Sequence, residues 1–296
     1  MKTKKQFWTY IAVTFGVAWI LQIVASLLAI NGQTIYFGPI LALSMFVPLI
    51  GAIVSKSEVK KIGWKPKFKG HVRYYIFSWF APAVLGTLGA ILFFAFFPQC
   101  LGTLEEGLNT VGGEGFVDVL ASQGISPMLF FVIEILSALI YAPIVNAIFA
   151  CGEEAGWRGA MYPYLKDRFG KVKGRILGGT IWGMWHWPVM ILAGYEYGTK
   201  YLGAPIAGPF AFLIFTITLG ILCDWVYEKS ESIWTTSLLH GAINGFAGIP
   251  MLLIPASYAE YSILGPSFIG VIAIIPTLVI ALVILLKEKN QKLKEN

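Results

Sequence analysis

A chain of 296 residues that is 57% apolar and only 13% charged cannot cover a soluble surface, because soluble domains carry about 25% charged residues. The net charge of +6 sits in short basic clusters between apolar runs. It forms no aromatic-interleaved basic face, which argues against a nucleic-acid partner and for membrane lipid.

In chain order, apolar runs fall near residues 7–30, 36–54, 74–98, 128–151, 176–194, 207–227, 233–248 and 268–286. Each suits a helix crossing a hydrocarbon core, which takes about 20 residues. The expected fold class is all-α, a polytopic membrane helical bundle of about eight transmembrane helices. The first run exceeds a signal-peptide core and no A-x-A site follows it, so it is expected to be a retained helix. The seventh is short, carries Thr235, Thr236, Ser237, His240 and Asn244, and runs into Pro250 and Pro255. A kinked or partial span is expected there. The segment 99–127, with Glu105, Glu106, Glu114 and Asp118 and no basic residue, reads as a solvated acidic loop. The mixed aromatic and basic segment 158–175 is expected to lie along the membrane interface. No internal repeat is evident, and residues 1–296 read as one integral membrane domain with a core at about 128–248.

With the N-terminus inside and eight alternating spans, 21 of the 22 Lys and Arg residues fall on the inner side, and only Lys200 falls outside. Such segregation is the positive-inside signature and predicts that both termini are cytoplasmic. Cys100, Cys151 and Cys223 match no zinc, CxxC or disulfide spacing and are expected to be free thiols.

Charged residues within spans are costly and are functional candidates by default. Those in or at the ends of the runs are Glu134, Glu153, Glu154, His186, Asp224 and His240. His71 lies in a basic loop and reads as an ordinary loop residue. Asp224 and Glu134 have no partner at helical spacing and read as structural. Glu154 and Arg158 are four apart and can pair on one helix face. Glu153 is then turned away by about 100°, toward the bundle interior. His240 and Asn244 share a face in the same way, and Trp182 places an aromatic ring one turn below His186. Gly174/Gly178, Gly179/Gly183 and Gly241/Gly245 have the small-xxx-small spacing that lets helices approach closely.

This set offers a carboxylate base, two imidazoles and an amide. A carboxylate with one imidazole can activate water, while an imidazole and an amide can donate to a developing oxyanion. Glu153, His186 and His240 could instead hold a zinc ion with water as the fourth ligand. No HExxH motif and no Gly-x-Ser-x-Gly elbow occurs, so zincin and serine chemistries have no support.

At these residues the sequence resembles the CPBP intramembrane protease family, which includes the eukaryotic CAAX prenyl endopeptidases. GEEAGWRG, with Glu153, Glu154 and Arg158, is similar to the family's first motif. WGMWHWP, with His186, is similar to the second, although Trp182 stands where the family commonly has Phe. LLHGAING, with His240 and Asn244, is similar to the third. The resemblance implies that Glu153 activates water together with His186, that His240 and Asn244 form the oxyanion hole, and that Glu154 and Arg158 support the site. It further implies a site within the bundle, open toward the cytoplasm and inner leaflet. The expected function is an intramembrane endopeptidase acting on a membrane-associated, prenylated or otherwise lipid-embedded peptide or protein. No cofactor is favoured, because Asn244 suits a donor better than a ligand; zinc is the alternative. The competing readings are a non-catalytic scaffold or bacteriocin self-immunity protein, and a transporter, which the missing repeat disfavours. The compact chain with Lys-rich tails has a prokaryotic style, so the plasma membrane is the expected location.

Overall fold

The computed structural model describes residues 1–295, with side chains through Asn290; Lys292 and Lys294, counted in the charge segregation, lie outside the described side chains. Fourteen α-helices and no strand occur among the described residues: α1 Lys4–Ile30, α2 Phe37–Ser44, α3 Val47–Val54, α4 Val72–Phe96, α5 Leu104–Gly112, α6 Phe116–Ser122, α7 Pro127–Ile140, α8 Ala142–Gly156, α9 Tyr162–Phe169, α10 Lys171–Trp185, α11 Trp187–Ala193, α12 Ala207–Ser230, α13 Ile233–Phe246 and α14 Ile275–Glu295. The fold is an all-α membrane bundle. Its outer faces expose rows of large apolar side chains, among them Ile76, Phe80, Val84, Leu88 and Ile91 on α4. Hydrocarbon is the solvent that tolerates such a surface.

Among the described residues, four segments are long and apolar enough to cross a membrane unaided: Lys4–Ile30, Thr34–Val54, Val72–Phe96 and Ala207–Ser230. The bent pair Phe116–Ser122 and Pro127–Ile140, which turns by 95°, would add a fifth. Several other apolar runs are broken into shorter helices, and proline supplies the reason. Pro143 and Pro188 each sit in the first turn of a new helix, where the absent N–H is harmless. Each would leave the carbonyl four residues earlier without a partner in a continuous helix. Side chains reach carbonyls at both breaks. Leu139 O, four before Pro143, accepts the Trp79 indole N–H at 2.7 Å. Trp185 O, at the second break, accepts from Trp19 at 3.2 Å and from Gln22 at 3.0 Å. The second break places His186 between two helices instead of in mid-helix.

Two loop expectations are corrected. Residues 99–127 are largely helical rather than a solvated loop. Thr103 and Glu106 cap α5 reciprocally, through Thr103 N to Glu106 Oε2 at 2.8 Å and Glu106 N to Thr103 Oγ1 at 3.3 Å, while Leu108 and Leu120 pack on Leu252. Nor does 158–175 simply lie along an interface. The helix passes from α8 through a π turn, Trp157–Met161, into α9, and Trp157, Arg158, Met161, Tyr162 and Leu165 are buried. Glu153 is therefore inside a continuing helix instead of at its end.

The glycine spacings correspond to close contacts. A Cβ on Gly179 would lie 2.4 Å from Ile217 Cα on α12, one on Gly178 would lie 2.5 Å from the Tyr162 ring, and one on Gly241 would lie 2.5 Å from Ala147 N on α8. No larger residue fits at these crossings without moving a backbone or a buried ring.

Candidate active site

The three motifs meet where α8, α10 and α13 pack together. The i,i+4 pair of the first motif forms: Arg158 Nη1 donates to Glu154 Oε1 at 2.8 Å, with both side chains fully buried. Arg158 also lies over the Trp182 ring, 4.3 Å from its centroid, and 4.8 Å from that of Tyr162. These aromatic faces partly replace water around the guanidinium. Glu154 accepts further from Thr236 Oγ1 at 2.7 Å, and its Oε1 lies 2.9 Å from His240 Nδ1. The carboxylate thus joins the first motif to the third.

Glu153 points elsewhere, as a step of about 100° requires. Its Oε2 accepts two indole N–H groups, from Trp182 at 2.7 Å and Trp157 at 3.0 Å. Its Oε1 has no hydrogen-bond partner among the described residues, and Glu153 lines a cavity of about 460 Å³. One oxygen is fixed and the other is available. Trp182 was expected to stack beneath His186, but the two rings are tilted at 56° with centroids 6.4 Å apart. Its contribution is polar: the indole holds Glu153, and its carbonyl lies 3.1 Å from His186 Nδ1. A carbonyl only accepts, so Nδ1 carries the proton and neutral His186 presents Nε2 as a lone pair. The same logic assigns His240 a proton on Nδ1, facing the Glu154 carboxylate.

The cavity is also lined by His186, His240 and Asn244. Asn244, one turn from His240 on α13, is exposed. Among the residues that the sequence did not single out, the cavity wall carries Asn146, seven before Glu153 on α8, together with Gln22 and Glu196. The i,i+7 spacing of Asn146 was a usable signal. No local pattern marked the other two.

Two further candidates resolve differently. Asp224 acquires partners that spacing could not show, Arg175 Nε at 2.6 Å and Lys166 Nζ at 2.7 Å. Arg175 also reaches Glu228 at 3.0 Å and Glu288 at 2.7 Å, so α9, α10, α12 and α14 are joined by one charge network. Glu134 enters no ion pair among the described residues. Cys100, Cys151 and Cys223 are buried and unpaired. No three His, Cys, Asp or Glu side chains converge to metal-binding distances among the described residues.

Residues 128–246 match the family model described as Type II CAAX prenyl endopeptidase Rce1-like. A CAAX prenyl protease 2 of Methanococcus maripaludis is 31% identical over 93 residues, covering 31% of this chain and 34% of that protein. The chain spans about a third of the length of this curated relative. The family match runs from α7 to the end of α13 and contains every residue of the three motifs. The protein is an integral membrane protein carrying an Rce1-like region.

Proposed function

We propose that the protein is an intramembrane endopeptidase that hydrolyses a peptide bond of a membrane-associated peptide or protein through water activated by Glu153 and His186. The observation that carries this reading is the division of labour at Glu153. Two indoles hold Oε2, while Oε1 is left to a cavity also lined by His186, His240 and Asn244.

In this reading a water sits between Glu153 Oε1 and His186 Nε2. Glu153 takes its proton as the oxygen adds to the scissile carbonyl carbon. The carbonyl oxygen becomes an oxyanion facing the Asn244 amide and the outer nitrogen of His240. His240 donates from that nitrogen only as an imidazolium, because its Nδ1 proton already faces Glu154. Collapse of the oxyanion breaks the C–N bond, and the proton held by Glu153 passes to the leaving amine. Each donor that stabilises only the oxyanion contributes about 3 kcal/mol in comparable sites.

The Rce1-like similarity supports a prenylated or otherwise lipid-embedded substrate. The charge segregation supports about eight spans with cytoplasmic termini, in a prokaryotic plasma membrane. The test is reconstitution with a panel of membrane-tethered peptides, with products read by mass spectrometry, for the wild type, Glu153→Ala and His240→Ala. Loss of cleavage in both variants, with a chelator having no effect on the wild type, is the expected result. Unchanged cleavage in both variants would remove the assignment.

A further inference from the structure

Asn146 is the one polar side chain among residues 142–150 of α8, and its neighbours Ile144, Val145 and Ile148 are exposed, as lipid-facing residues are. A carboxamide in a membrane span ordinarily hydrogen-bonds to a neighbouring helix. This one does not. Among the described residues neither its oxygen nor its nitrogen has a hydrogen-bond partner, and both remain accessible. Seven residues before Glu153, Asn146 lies within about 20° of the same face of α8, and it lines the same cavity. The third motif meets it there. Helices α8 and α13 pack antiparallel, with Thr236 on Glu154, the would-be Cβ of Gly241 against Ala147 N and that of Gly245 against Ala142 Cβ. Asn244 is therefore level with residues 142–147, and one carboxamide from each helix borders the cavity at that level.

We propose that Asn146 is a substrate-positioning residue that binds the main chain of an extended peptide within about three residues of the scissile bond. This rests on the endopeptidase reading and deepens it, by naming main chain rather than side chain as what this wall of the cavity recognises. A carboxamide carries a donor and an acceptor side by side. An extended residue presents its own N–H and C=O along one edge, the pair that a neighbouring strand would bond. Nδ2 then donates to the carbonyl while Oδ1 accepts from the N–H. Seven helical residues span about 10 Å along α8, which is about three residues of extended chain, and this sets the reach from Glu153 to the bound residue. A main chain entering an apolar cavity must find partners for its polar groups, and Asn244 is taken up with the oxyanion. Every residue but proline has the edge that Asn146 fits, so binding tolerates changes of side chain at that position.

The test uses N-lauroylated hexa-alanine with a C-terminal fluorophore, and analogues in which each internal alanine in turn is replaced by lactate, so that one N–H becomes an ester oxygen. Binding is measured by anisotropy in phosphatidylcholine nanodiscs, against nanodiscs without protein, on the full chain carrying Glu153→Gln to prevent turnover. One lactate analogue is expected to bind about tenfold more weakly than the all-amide peptide, as loss of one hydrogen bond implies. Adding Asn146→Leu is expected to weaken the all-amide peptide by a similar factor and to erase the penalty of that analogue. Leucine suits hydrocarbon, so thermal unfolding of this variant should match or exceed that of its background. All-amide binding unchanged by Asn146→Leu, or a lactate penalty that survives it, overturns the proposal. So does failure of the all-amide peptide to bind, or a clear loss of thermal stability in Asn146→Leu, which would mark a structural role. Cleavage by the protein with Glu153 intact separates the two readings. Asn146-dependent binding without cleavage of any peptide in the panel would end the endopeptidase reading and leave the main-chain contact standing. Cleavage of the all-amide peptide at an unchanged kcat/KM in Asn146→Leu would do the opposite.

Discussion

His240 Nδ1 and Glu154 Oε1 lie 2.9 Å apart, and the same oxygen accepts from Arg158 at 2.8 Å. Glu154 therefore both balances a buried guanidinium and fixes the ring that faces the cavity. Glu154→Gln is expected to lower kcat by about a hundredfold with little change in KM. It would also cost about 3 kcal/mol of stability, because Arg158 loses its counter-charge. Steady-state kinetics on a cleaved reporter and thermal unfolding in detergent check the two effects separately. A parallel loss of kcat and KM would argue against a role in orienting His240.

Trp182→Phe keeps the aromatic ring under Arg158 but removes the indole N–H that holds Glu153 Oε2 at 2.7 Å. A hydrogen bond to a charged group contributes about 1.5–3 kcal/mol, so kcat should fall roughly tenfold or more while the protein remains folded. An unchanged kcat would show that Trp157 alone suffices to orient the carboxylate.

Gly241 sits where α13 crosses α8, and its added Cβ would lie 2.5 Å from Ala147 N. Gly241→Ala must push apart the helices that carry His240 and Glu154, at a cost of about 1–3 kcal/mol. Gly16 on α1 has nothing within 4 Å of its would-be Cβ, so Gly16→Ala should be neutral or slightly stabilising. Paired unfolding curves decide it.

Burial pushes the Glu196 carboxyl up to about 7. It is neutral below that pH and ionised above it, so preference for a lysine-bearing over a glutamine-bearing membrane-tethered peptide should grow between pH 6 and pH 8. The other titratable groups on the cavity are Tyr195, Glu153, His186 and His240. The pH dependence belongs to Glu196 only if Glu196→Gln flattens it on the Glu153→Gln background.

Arg175 and Asp224 are both fully buried and 2.6 Å apart. Arg175→Met strips Asp224, Glu228 and Glu288 of a shared partner and should cost about 3–5 kcal/mol. Because the pair is shielded from solvent, added salt should change that loss little, which a salt series of unfolding curves would show.

What the sequence could convey was local. Residues four apart on one helix face are neighbours by geometry, so the Glu154–Arg158 pair and the His240–Asn244 face were legible without a structure. The glycine spacings likewise marked the crossings of α10 with α12 and of α13 with α8. Contacts between distant segments leave no such trace. Asp224 finds Arg175 across 49 positions, and Gln22 reaches the cavity because its partner lies 163 residues away. Glu196 is placed by a turn rather than by any period. Apolarity showed where chain can enter hydrocarbon, but not that Pro143 and Pro188 would divide those runs and set His186 at a helix junction.

The π turn at Trp157–Met161 gives this stretch a tolerance of residue count that the α-helix around it lacks. A π turn holds more chain per turn than an α turn. Removing a single residue there would let the α pitch resume with the helix beyond nearly in phase, so Lys166, 2.7 Å from Asp224, would keep its partner. The same deletion in α9 ahead of Lys166 would turn it away by about 100°. The turn thus holds one residue of slack, which can be taken up without breaking a contact at a distance.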